Sequence, residues 1–184
     1  MSVRIVVTGM GWVTPLGHDL DTVWGKLMSG ASGMAPITRF DARTFPTTFA
    51  AEVKDFDVSS FVKDMSAHTG AALNSRFALG AASQAWRQAG LHDRPARDAR
   101  RVGIYLGAGE GVIDTLNYVA TNLKGWNAQT SQIDGKAWAE AGLRLMDAVR
   151  EIEQEPNMPL AHIAREFGVR GPAYNCLTAC AAST

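Results

Sequence analysis

The chain has 184 residues, enough for one domain with a sizeable core, and its hydrophobic share of 46% and charged share of 20% are those of an ordinary globular protein. Lys+Arg and Asp+Glu each total 18, which excludes the basic footprint of a nucleic-acid or anionic-membrane binder. Two cysteines exclude a disulfide scaffold and point to a reducing compartment, no stretch approaches a membrane span, and the opening apolar run is too short for a signal peptide, so the expected location is the cytoplasm.

Arg4-Ile-Val-Val-Thr-Gly9 is a short β-branched run closed by glycine and reads as a buried parallel strand. Met10 to Gly17 is a loop. Asp19 or Asp21 caps a helix in which Val23, Trp24, Leu27 and Met28 recur at helical spacing, and Ser29 to Gly33 ends it. Gly9-Met-Gly11-Trp-Val-Thr14 follows a strand and is tested as a dinucleotide fingerprint. It fails: Thr14 replaces the third glycine, Pro15 intrudes at the helix start, and no strand ending in an acid follows. No cofactor is expected. Met34 to Met65 reads as a surface layer with short strands, carrying the pairs Phe40-Asp41 and Phe56-Asp57. A helix rich in small residues runs through Leu73, Phe77, Ala81, Ala85 and Trp86, and Asp93 to Arg101 is a charged connection.

Arg101-Val-Gly-Ile-Tyr-Leu106 is the second clear strand and leads into Gly107-Ala-Gly-Glu-Gly111. Without a Lys-[Ser/Thr] pair this is no Walker motif. It reads as a turn that lets two backbones or a ligand approach closely. Thr115 to Asp134 is polar and helix-compatible, and Trp138 to Glu153 reads as one amphipathic helix through Leu143, Met146, Val149 and Ile152. After Pro156 and Pro159, a short helix through Leu160, Ile163, Ala164 and Phe167 ends at Gly168. The histidines at 18, 68, 92 and 162 are scattered and read as surface or packing residues rather than catalytic bases.

Gly171-Pro172 turns the chain into a short buried strand, Ala173 to Thr178, and the small residues from Ala179 on can open a new helix. Cys180 then sits at a strand-to-helix junction, where backbone N–H groups favour negative charge and a thiolate nucleophile. The alternative is a small core hydrophobe, which suits Cys176 well. In an extended segment the two thiols are about 13 Å apart, too far for a disulfide, and no metal-ligand spacing surrounds them. Strands and helices in alternation, with chemistry at a strand's carboxyl end, give α/β with a largely parallel sheet.

Four stretches together resemble the β-ketoacyl-acyl-carrier-protein synthases, condensing enzymes of thiolase-like fold: Val6 to Gly17; Trp24 to Gly33 with Ile37-Thr-Arg-Phe-Asp41; Arg101 to Gly109; and Gly168 to Cys180. The resemblance implies that residues 1–184 are the N-terminal half of a layered synthase domain, with helices on both faces of the sheet, and that the C-terminal half is absent from this chain. Thr178-Ala-Cys180 matches the family's nucleophile signature and makes Cys180 the acyl-accepting residue. Gly109 and Glu110, on the glycine-rich loop, fall at the substrate-binding acyl pocket. The implied partners are an acyl carrier protein with acyl and malonyl thioesters, in a homodimer, with no metal. In the family a second oxyanion donor and two histidines come from the C-terminal half, so this chain alone is expected to be inactive. Two residues depart from the pattern: Ser75 where an Asp is usual, and Glu110 where an apolar gate is usual. The alternatives are a non-catalytic synthase partner resembling a chain-length factor, against which the retained Cys180 argues, and an inactive truncated product.

Overall fold

Asp19 Oδ1 accepts the Thr22 N–H at 2.8 Å and starts the first helix, α1 (Leu20–Met28). Of its apolar face only Val23 is buried, while Trp24, Leu27 and Met28 are exposed. A computed structural model describes residues 3–93 and 98–182, so the charged connection 93–101 lies partly outside the described residues. After α1 the chain forms a small antiparallel pair, β1 (Met34–Pro36) with β2 (Phe49–Ala51), within the irregular layer expected there. Two 3-10 turns follow, Val58–Ser60 and Met65–His68, each capped by an aspartate side chain, Asp57 and Asp64. The longest helix is α2 (Leu73–Gln88), with Ser75, Leu79, Gly80 and Ser83 buried.

Strand β3 (Ile104–Gly107) leads into the glycine-rich loop, and α3 (Thr115–Gly125) follows. A two-residue antiparallel pair, β4 (Trp126–Asn127) with β5 (Gln132–Ile133), turns the chain back into α4 (Gly135–Leu145). The expected single helix over 138–153 is instead two, α4 and α5 (Ala148–Glu153). Asp147 breaks it: its Oδ1 accepts the Val149 and Arg150 N–H groups at 2.9 and 3.0 Å, and this local cap outcompetes helical continuation. Helix α6 (Met158–Phe167) begins with Pro159 in its first turn and ends at Gly168, whose φ of 64° is the left-handed cap expected of a glycine. Strand β6 (Ala173–Cys176) then pairs in parallel with β3, Ile104 opposite Ala173 and Gly107 opposite Cys176. Its first half is exposed rather than buried.

The core is built around α2. Phe56 stacks on Phe61 at 5.4 Å, meets Phe77 edge-on at 5.5 Å and lies over Gly80, where a Cβ would come within 2.6 Å of the ring. Trp86 stacks on Phe167 with centroids 4.6 Å apart and ties α2 to α6. On the other side the N-terminal loop crosses the helix at Gly9 and Gly11, where a Cβ would collide with the carbonyl oxygens of Ala85 and Ala81. The glycine pair lets the loop backbone lie directly against the helix.

The first strand expected from sequence does not form. Residues 4–9 pair with no strand among the described residues, and Ile5 and Val7 are 92% and 81% exposed. A strand is stabilised by its ladder, and here a groove lined by Ala85, Trp86, Ile163 and Phe167 separates Thr8 and Gly9 from β3. Side chains hold the segment instead: Gln88 Oε1 accepts the Met10 N–H at 2.7 Å, and Gln84 Nε2 donates to the Trp12 carbonyl at 2.9 Å. The described sheet of β3 and β6 is therefore two-stranded, and its paired tyrosines Tyr105 and Tyr174 stand 70% and 63% exposed. Among the described residues no helix is long and apolar enough to cross a membrane.

Two glycines separate approach from flexibility. Gly11→Ala drives a methyl into the Ala81 carbonyl and is expected to lower unfolding free energy by roughly 1–3 kcal/mol. Gly25→Ala, inside α1 with open space around it, is expected to raise it by about 0.5–1 kcal/mol. Urea midpoints of the two variants against the parent check both signs.

Candidate active site

Parallel pairing places the glycine-rich loop beside the strand that carries the cysteines. The Ala108 N–H donates to the Cys176 carbonyl at 3.2 Å, extending the β3–β6 ladder by one bond. Beyond that bond the loop bends toward the end of α5. The Gly111 N–H donates to the Gln154 carbonyl at 2.6 Å, and a Cβ on Gly111 would meet the Glu153 carbonyl oxygen at the same distance. The close approach expected of this glycine run is thus made against protein backbone. Gly109 has open space around its missing side chain. Glu110 is exposed, on the rim of a groove shared with Ile113, Gln154, Pro156 and Leu177. Glu110 and Leu177, far apart in sequence, therefore line one depression three residues before Cys180.

Cys180 is exposed, on the short 3-10 turn Ala179–Ala181, which follows β6 after Leu177 and Thr178. Ala179, the residue before it, has φ of 49°, a left-handed conformation that costs a non-glycine residue roughly 1–2 kcal/mol. That bend turns the chain out of the strand at Cys180. A turn of three residues carries little of a helix's dipole, so the thiol's setting here is the exposed carboxyl end of β6.

Cys176 is half-buried, with Sγ 3.6 Å from Thr178 Oγ1. Its side chain also acts on Tyr105 on the neighbouring strand. Hydrogen bonding with Cys176, and then the repulsion of a thiolate, hold the Tyr105 phenol above its ordinary value near 10. At the start of α3, Asp114 is kept below the usual carboxylate range. Its partners are the Asn117 amide at 2.8 Å and Arg150 of α5 at 3.1 Å. Ser75, where the resemblance expects Asp, is fully buried, and its hydroxyl has no hydrogen-bond partner among the described residues.

Tertiary structure gathers two of the scattered histidines. His68 and His162 are buried against each other, and their outer nitrogens face Glu166 and Glu153. Separations of 94 and 98 residues put this arrangement beyond any local signal. His18 packs edge-on to Phe56, and His92 is exposed.

Residues 2–184 match the family model described as β-ketoacyl synthase, N-terminal domain. The chain belongs to the β-ketoacyl synthase family. A β-ketoacyl synthase relative from Vibrio harveyi, named 3-oxoacyl-[acyl-carrier-protein] synthase 2, is 31% identical over 177 residues, 96% of this chain and 39% of its own. The chloroplastic 3-oxoacyl-[acyl-carrier-protein] synthase I of Hordeum vulgare is 31% identical over 186 residues, 98% of this chain and 36% of its own. Among solved structures, the ishigamide ketosynthase/chain length factor superposes with a TM-score of 0.70 at 27% identity, covering 96% of this chain and 40% of that one. One chain of the solved complex of a type II polyketide acyl-carrier protein with its ketosynthase superposes with a TM-score of 0.59 at 20% identity, covering 92% of this chain and 36% of that one, which speaks for the fold alone. The β-ketoacyl synthase chain described here thus spans about 40% of the length of these relatives.

The contact between Tyr105 and Cys176 is open to titration. The Tyr105 phenol, isolated by difference against Tyr105→Phe, is expected to ionise above pH 10 and to fall back toward 10 in Cys176→Ala. Because the folded value is raised, whatever stability this contact adds is present below pH 10 and lost above it. Ultraviolet absorbance of the phenolate checks the midpoints.

Proposed function

We propose that these residues are the N-terminal half of a β-ketoacyl-acyl-carrier-protein synthase domain, an acyltransferase that joins an acyl thioester to a malonyl thioester. The observation carrying this reading is the family match over residues 2–184, which takes in Thr178-Ala-Cys180 just beyond the carboxyl end of a parallel strand. In the proposed reaction the Cys180 thiolate attacks the acyl thioester carbonyl and expels the donor thiol. The malonyl thioester then loses carbon dioxide, and the electron pair left on carbon attacks the acyl-enzyme. A carbon–carbon bond forms, the bond to sulfur breaks, and the thiolate returns. The Cys180 N–H serves as one oxyanion donor. A second donor and two histidines come from outside these residues.

Glu110 faces solvent, which lets a carboxylate sit beside an acyl pocket without the cost of burial. Gly109 leaves room beside it for substrate. The relatives' names support an acyl carrier protein as the donor's carrier, and we extend the reading to a cytoplasmic homodimer. A second reading, a non-catalytic partner that shapes a synthase's product, draws on the likeness to a ketosynthase/chain length factor structure.

Substitution of the sulfur separates the two. In the full-length protein Cys180→Ser is expected to lower condensation kcat by about a thousandfold or more, since the hydroxyl is a far weaker nucleophile at neutral pH. Unchanged turnover in steady-state assays with acyl and malonyl carrier thioesters contradicts the catalytic reading.

A further inference from the structure

His68, at the end of its 3-10 turn, is fully buried, and His162 on α6 is 7% exposed. Their Nδ1 atoms lie 2.9 Å apart. His68 Nε2 is 2.9 Å from Glu166 Oε2, and His162 Nε2 is 2.9 Å from Glu153 Oε1. The outer carboxylate oxygens are also engaged. Glu166 Oε1 accepts the Lys63 N–H at 3.0 Å and Glu153 Oε2 the Ala72 N–H at 3.1 Å. Glu166, His68, His162 and Glu153 thus form one continuous buried row joining α5, α6 and the segment before α2.

Three hydrogen bonds among four groups require three protons. Two carboxylates and two neutral imidazoles bring only two, one per ring. With two, one of the contacts sets acceptor against acceptor. With four, both Nδ1 atoms carry hydrogen and point at each other, or a carboxylate carries the extra proton on an oxygen already occupied by an amide N–H. We infer that this row is a pH-sensitive clasp that closes only while it holds one proton more than two neutral histidines supply, and that loosens as pH moves away in either direction.

The sign follows from proton counting. In the unfolded chain an imidazole titrates near pH 6.5, so around that pH the unfolded pair also averages one extra proton. Above it, folding takes up a proton, and the folding equilibrium constant falls by up to tenfold per pH unit. Below it, folding releases a proton, and the constant falls as pH drops. The clasp's contribution is largest near pH 6.5.

The charged neighbours are Lys63 and Asp64 on the segment leading in, Arg165 on α6, Arg76 on α2 and Arg150 on α5. Asp64 lies within electrostatic reach of His68 and Arg165. Arg76 donates to the Ala71 carbonyl and Arg150 to Asp114. Arg87 and His92 share a groove with Glu166. Of these groups only His92 is of a type that titrates between about pH 5.5 and 9, and it is retained in every variant compared.

Glutamine supplies the test. In Glu166→Gln the amide oxygen still accepts the Lys63 N–H while the amide NH2 donates to His68 Nε2, completing the row with two neutral histidines. Glu153→Gln does the same from the other end. Urea titrations of the full chain from pH 6 to 9 are expected to show the parent's folding constant falling as pH rises above 7.5 and each single variant losing that fall. The double variant places donors at both ends and forces two Nδ1–H groups together, so its folding constant is expected to lie at least tenfold below the product of the single effects. If the double variant fails to fold, the single profiles decide. Single variants that keep the parent's pH profile, or a double variant that equals their product, overturn the clasp.

Discussion

Parallel pairing of β3 with β6 is the constraint on which the candidate site depends. It runs in register from Ile104 opposite Ala173 to Gly107 opposite Cys176 and is extended by the Ala108 bond to the Cys176 carbonyl. Because both strands point the same way, both exit at the same end. The glycine-rich loop and the Cys180 turn are therefore neighbours, although about seventy residues of chain separate them, a span that a crossover must fill with helices. Those intervening helices are not idle. Helix α5 supplies the backbone that Gly111 rests on, and α6 stacks Phe167 on Trp86 of the long central helix.

The pairing also explains what stands uncovered. A two-stranded sheet buries little, and Tyr105 and Tyr174 face outward as a cross-strand pair. Ile5 and Val7 lie along a segment that has no ladder among the described residues. These are strongly β-forming, apolar residues held in the open.

Much of the fold was legible because its signals are local. Asp19 caps α1 through a side chain three residues from the amide it binds, and Gly168 ends α6 by adopting a left-handed φ. The sequence showed only that Gly9 and Gly11 fail the cofactor pattern; their close approach to the carbonyls of Ala85 and Ala81 depends on a helix about seventy residues away and was not legible. Where reading failed, the deciding interaction was either a competing cap or a distant partner. Asp147 split an amphipathic run that periodicity alone would have kept whole. The run at 4–9 had the composition of a strand, yet strand formation depends on a neighbour that composition does not encode. The histidine–glutamate row needed three elements to meet before any of its members acquired a role.

The proposed chemistry concentrates on a single sulfur, and one measurement reaches it directly. The full-length protein is incubated briefly with an acyl-carrier thioester and no malonyl donor, and its peptides are weighed by mass spectrometry. An acyl thioester on the peptide containing Cys180, and removable by hydroxylamine, is the predicted result. Acylation at Cys176 alone, or none at either cysteine while the complete assay turns over, would contradict it.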